Sequence, residues 1–161
     1  MRLFGVETEW QEDGSARLFR SNFCVERFEY NFINCPDIAQ TFAVLCAALD
    51  IPAYFTGLQT LKIKETDRIE ALKVELEKLG AEISTTSDSL TIHKGINLDS
   101  RDVLIRTYKD HRMAMAFAPL ALKLPNLRLE DKNVVRKSYP NFWNDLQTLG
   151  FSLKSERQPN L

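Results

Sequence analysis

Lys64-Glu65-Thr66-Asp67-Arg68 places four charged side chains within five residues, between an apolar run and an amphipathic one. Two of them are cations flanking the point where a helix should begin. A helix start already carries partial positive charge, so lysine and arginine there oppose the backbone dipole. A local rule broken in this way points to an anion site. Asp110-His111-Arg112 again puts cationic side chains in a first helical turn, and Lys137 again precedes a helix. Solvated helix starts, with Glu65 and Asp67 as local partners, would account for each position taken alone. Their recurrence favours convergence on a small polyanion such as a phosphate or carboxylate. Asp37 and Asp110 each open a run of small residues and read as helix N-caps.

Other chemistries find little support. The glycines at 5, 14, 57, 80, 95 and 150 are isolated, so no glycine-rich phosphate loop exists. No Ser–His–Asp or Cys–His order stands out. Lys plus Arg is 21 and Asp plus Glu is 22, a net charge of -1, which argues against bulk binding to nucleic acid or an anionic membrane. Cys24, Cys35 and Cys46 are odd in number and lack the close pairs of a zinc site. They read as reduced, buried thiols of a cytoplasmic protein. His93 reads as a surface residue, and Met113, Met115, Phe142 and Trp143 as core.

The elements that must position these residues follow from periodicity. Strands are expected at 2–9 and 16–20, around a turn at Asp13-Gly14-Ser15, and from Val25 to Ile33. A helix buried on most sides runs from Asp37 to Leu49. Strand-like runs at 53–55 and 58–63 precede an amphipathic helix from Thr66 to Leu79, with Ile69, Leu72, Leu76 and Leu79 on one face. Strands follow at 81–84, 89–93 and 103–107. A helix from Asp110 through Leu120, a strand at 127–129, a helix from Tyr139 to Leu149 and a strand at 151–154 complete the chain.

The order repeats. Asp37 to Asp110, Pro52 to Pro125 and Lys64 to Lys137 are each separated by 73 residues. A shared period of this length marks a repeated supersecondary unit, here strand, helix, strand, helix, strand, strand. One full unit spans 25–95, with partial units at 1–24 and 102–155. The expectation is an α/β (α+β) domain of βαβαββ units that is incomplete by itself, because a unit cut at both ends leaves unpaired strand edges.

With Asn34-Cys35-Pro36-Asp37 and Arg136-Lys137-Ser138-Tyr139-Pro140, the two charged signatures Lys64–Arg68 and Asp110–Met115 resemble the C-terminal domain of the EPSP synthase family, the 3-phosphoshikimate 1-carboxyvinyltransferases. The resemblance covers nearly the whole chain. It implies repeated βαβαββ units with helices inward and sheets outward, and an N-terminal domain absent from this sequence. It also implies transfer of the enolpyruvyl group of phosphoenolpyruvate to the 5-hydroxyl of shikimate 3-phosphate, a step towards chorismate and the aromatic amino acids, without metal or cofactor. By motif position, Asp37 is similar to the carboxylate that takes the hydroxyl proton. Lys64 resembles the lysine beside that hydroxyl, and Glu65 the glutamate beside the methylene. Arg68, Arg112 and Lys137 match cations that hold phosphoenolpyruvate, and His111 a histidine next to them. Thr60 stands where the family often has asparagine. The chain alone is expected to be inactive. A non-catalytic anion-binding module, or another enolpyruvyl transferase, would share the fold but would not need these signatures.

Overall fold

The computed structural model describes residues 1–22, 25–63, 66–97, 99 and 102–154. A four-stranded sheet is its centre. β3 (Phe28–Asn31) pairs in parallel with β4 (Ala53–Thr56), and β4 pairs antiparallel with β6 (Leu90–Lys94). β5 (Glu82–Thr85) closes the other edge, antiparallel to β6. The hairpin of β1 (Val6–Trp10) and β2 (Ala16–Arg20) forms a second sheet. β7 (Leu104–Ile105) and β8 (Arg128–Leu129) form a third, parallel like β3 and β4.

The helices lie against this framework. α1 (Ala39–Ala48) packs against α2 (Arg68–Lys78), α3 (His111–Phe117), β4 and β6. Its small residues explain that central place: Ala39, Ala43, Cys46 and Ala47 are all buried, and alanine lets neighbouring backbones approach closely. Burial pushes the Cys46 thiol up to about 12, which keeps it neutral. Cys35 is free and half-buried, and Cys24 lies outside the described residues. Ile69, Leu72, Leu76 and Leu79 form the buried face of α2, as their spacing predicts. Phe28, Phe32, Phe42 and Phe55 fill the space between β3, β4 and α1, with Phe32 and Phe55 edge-on at 5.0 Å. Ala114, Ala118, Val135, Phe142 and Leu146 make a smaller core under α4 (Phe142–Thr148), with Met115 and Trp143 packed against it. His93 is exposed on β6 and shares a 2.8 Å hydrogen bond with Ser84.

Several elements differ from their sequence expectation. Arg2–Phe4 is a 3-10 turn, ended by Gly5 at φ 73, so β1 starts at Val6. The predicted strand at 58–63 is a 3-10 helix, Gln59–Ile63. Leu58 and Leu61, three apart, are both buried, whereas Ile63 projects outward. A three-residue period buries that pair on one side, as strand alternation would not. α3 gives way to a 3-10 segment, Ala118–Leu122, at Pro119, which lacks a backbone donor for the helix. Residues 151–154 form no strand; Phe151 N instead donates to the Leu146 carbonyl at 3.1 Å, and its side chain packs against the smaller core.

Gly57 turns the chain from β4 into this 3-10 segment, at φ +72. A Cβ there would overlap Asn31 Oδ1 and lie 2.6 Å from Ile33 N. Gly57→Ala is therefore expected to lower stability by about 1–3 kcal/mol, measured by urea unfolding. A change within about 0.5 kcal/mol, the range of a neutral surface substitution, would contradict the crowding.

Candidate active site

Three helix or turn starts meet at one place. Asp37 sits in a 3-10 turn, Pro36–Ile38, that leads into α1. Its side chain caps neither element, so the N-cap reading of Asp37 is corrected here. The carboxylate faces across to α2 and α3 instead. Arg68 is the first residue of α2, which Asp67 caps by accepting from the N–H groups of Ile69 and Glu70, both at 3.1 Å. Asp110 caps α3, accepting from Arg112 N at 2.8 Å.

Arg68 joins the three. Its Nε donates to Asp110 Oδ2 at 2.6 Å and its Nη2 to Asp110 Oδ1 at 3.3 Å, a bidentate grip. Its Nη1 donates to Asp37 Oδ1 at 3.1 Å. Arg112 closes the set: Nη1 donates to the Asp37 carbonyl at 2.8 Å, and Nη2 pairs with Asp37 Oδ2 at 3.0 Å. Asp110 and Arg68 are 0% and 2% exposed, against 43% for the Asp37 side chain and 33% for that of Arg112. The cluster thus has a buried pair behind and a half-open pair in front. His111 borders it, with Nδ1 3.8 Å from Asp110 Oδ1, beyond hydrogen-bond range.

The predicted site residues separate accordingly. Asp37, Arg68, Arg112 and His111 come together. Lys64 and Glu65 lie outside the described residues. Lys137 is exposed in the turn that follows a 3-10 segment, Lys132–Val135, packed against α3. It pairs with no acid among the described residues. Thr60 is exposed on the 3-10 segment after β4. Sequence reasoning gave Asp110 a capping role only; its second role, as bidentate partner of Arg68, left no separate signal because a cap already explains an aspartate there.

A second buried acid was missed altogether. Glu75 is 0% exposed on α2. It accepts from Lys78 Nζ with both oxygens, from Tyr108 Oη at 2.7 Å and from Arg106 N at 3.1 Å. Its signal was its phase: Glu75 lies three residues after Leu72 and four before Leu79, on the apolar face. Burial and the neighbouring Glu75 push the Tyr108 phenol up to about 12, so it stays a donor through the neutral range.

The family model described as EPSP synthase (3-phosphoshikimate 1-carboxyvinyltransferase) matches residues 1–146. The chain belongs to the EPSP synthase family. The 3-phosphoshikimate 1-carboxyvinyltransferase of Bacteroides fragilis strain YCH46 is 51% identical over 151 residues, covering 93% of this chain and 37% of that relative. The protein of the same name from Clostridium kluyveri is 40% identical over 117 residues, covering 72% of this chain and 27% of its own length. The chain thus spans little more than a third of the length of the first of these. A solved EPSP synthase from Acinetobacter baumannii superposes with a TM-score of 0.68 at 18% identity, covering 91% of this chain and 37% of that one. The fold is therefore EPSP synthase-like, with mixed helices and sheets.

Removing one partner of a buried ion pair strands the other charge. Asp110→Asn and Arg68→Met are each expected to destabilise the chain by about 3–5 kcal/mol. The double variant should cost less than the two together, because neither charge is then left alone. Thermal and urea unfolding of the three variants checks this; additive costs would show that the pair is not energetically coupled.

Proposed function

We propose that this chain forms one wall of a cleft in which the carboxyvinyl group of phosphoenolpyruvate passes to the 5-hydroxyl of shikimate 3-phosphate. The observation that carries the reading is the half-open Asp37–Arg112 pair, backed by buried Arg68 and Asp110, at positions that match the family signatures. Asp37 is the carboxylate that takes the hydroxyl proton as its oxygen attacks the central enol carbon. By their places in the family signature, Glu65 supplies a proton to the methylene and Lys64 serves the hydroxyl. Loss of a proton from the resulting methyl group and departure of phosphate then restore the double bond. Arg112, Lys137 and His111 hold the carboxylate and phosphate of phosphoenolpyruvate. Arg68 belongs with these cations, but two carboxylates already engage its guanidinium. Through Asp37, which it orients, it also acts on the reacting hydroxyl.

The same reading covers the architecture and setting. The βαβαββ unit is the segment 25–95, with β3, α1, β4, α2, β5 and β6 in that order, and 1–24 and 102–155 are parts of neighbouring units. The parallel pairing of β7 with β8, around α3, supports a second copy of the β3–α1–β4 arrangement. The facing wall comes from the portion of the relatives that this chain does not span. The proposed location is the cytoplasm; among the described residues no helix is long and apolar enough to cross a membrane.

Phosphate release from phosphoenolpyruvate and shikimate 3-phosphate tests the proposal. The assay uses the chain alone, then with the remaining portion of the Bacteroides fragilis relative supplied. Turnover is expected only in the second case, and Asp37→Asn should reduce it at least about 100-fold. Turnover by the chain alone would refute the one-wall reading. No turnover with both portions present and folded would favour a non-catalytic anion-binding module.

A further inference from the structure

α2 grips the loop before α3 at two points. Arg68, in its first turn, holds Asp110, and Glu75 holds Arg106 N and Tyr108 Oη. Seven residues separate the two, about two helical turns, so both point from the same face about 10 Å apart. Between the grips the backbone is unusual. Tyr108 and Lys109 are consecutive non-glycine residues in the left-handed region, at φ 54 and φ 56. Such residues persist only where their surroundings over-determine them. The loop has other contacts: Asp110 N donates to the Thr107 carbonyl at 2.8 Å and closes the turn, Thr107 N donates to Glu130 Oε2 at 3.0 Å, Arg106 Nε lies 3.7 Å from Glu130 Oε1, and the Arg106 guanidinium lies 5.5 Å from the Tyr108 ring centre.

Packing alone does not call for Glu75. Its place on α2 is an apolar one, which leucine or methionine would fill without the cost of burying a charge. What a carboxylate adds is acceptors. Lys78 compensates its charge from the exposed side, and the oxygens then fix a backbone N–H and a phenol of the loop. Tyr108 stands two residues before Asp110 and four before Arg112, so a change in its position alters where α3 begins.

We infer that Glu75 and Tyr108 are a positioning pair that sets the register of Asp110, His111 and Arg112 against Arg68 and Asp37. The inference rests on the reading of that cluster as the phosphoenolpyruvate site. Neither residue touches the ligand. They hold the left-handed turn so that Arg112 meets Asp37 with its guanidinium half-open. A looser turn leaves the fold intact but spreads Arg112 over orientations that cannot bind the anion.

Tyr108→Phe removes only the hydroxyl and keeps the ring, so Glu75 retains its Lys78 and Arg106 donors. Two readouts are taken. In the assay with the remaining portion supplied, the KM for phosphoenolpyruvate should rise about tenfold, with kcat within about twofold. In the 161-residue chain alone, NMR should show the Arg112 amide exchanging about tenfold faster, with Tm unchanged within about 3 °C. Glu75→Ala should raise the KM and the Arg112 exchange by as much or more, here with a lowered Tm because Arg106 N and the Tyr108 hydroxyl lose their acceptor, and Glu75→Gln, which keeps an acceptor oxygen, should recover part of the effect. A lowered Tm with unchanged KM and unchanged Arg112 exchange in Tyr108→Phe would make the pair merely structural and overturn the inference. If the unaltered chain gives no turnover with its missing portion, the functional reading fails, and the exchange of Arg112 alone decides whether Tyr108 positions α3.

Discussion

The arrangement depends on one buried guanidinium. Arg68 is almost fully withdrawn from water, a position that burial would make prohibitive without compensation. Asp110 supplies two acceptors and Asp37 a third, so the charge is paired and its donors are directed. Guanidinium suits this role because its planar fork serves a bidentate carboxylate and a second acid at once. The consequence is geometric. Arg68 opens α2, Asp110 opens α3 and Asp37 stands in the turn before α1, so one side chain sets the mutual placement of three element starts.

That placement has a chemical outcome. Asp37 is held by Arg68 from the buried side and by Arg112 from the open side. Its carboxylate therefore cannot swing, yet nearly half of the side chain remains accessible. Pre-organised groups of this kind cost no rearrangement when charge develops in a reaction. α1 makes the convergence possible: its alanine-rich surface packs closely against both α2 and α3, and larger residues would hold their starts apart.

Parts of this were legible in the chain. The apolar face of α2 follows from the spacing of Ile69, Leu72, Leu76 and Leu79, and the cap at Asp110 from its place before a run of small residues. Interactions between residues within about a turn of one another dictate both. Leu58 to Ile63 reads as a strand because an apolar run does not by itself distinguish a strand from a 3-10 helix. Gly57 and the burial of Leu58 with Leu61 decided it. Asp37 reads as a cap because an aspartate before a helix has two uses, and only the position of Arg68 and Arg112 selects the second.

By itself, the sequence determined which residue types gather at helix starts, the spacing of 73 residues that aligns them, and the family signatures they compose. These are properties of short segments and their recurrence. Only the tertiary structure decided who pairs with whom. Arg68 finds its acids 31 and 42 residues away, and Glu75 binds a loop 31 and 33 residues away. Such contacts depend on how α1, α2 and α3 cross and on which side chains are shut off from water. An ion pair gains its strength from that exclusion, and a charge pattern read along the chain cannot show which charges are excluded.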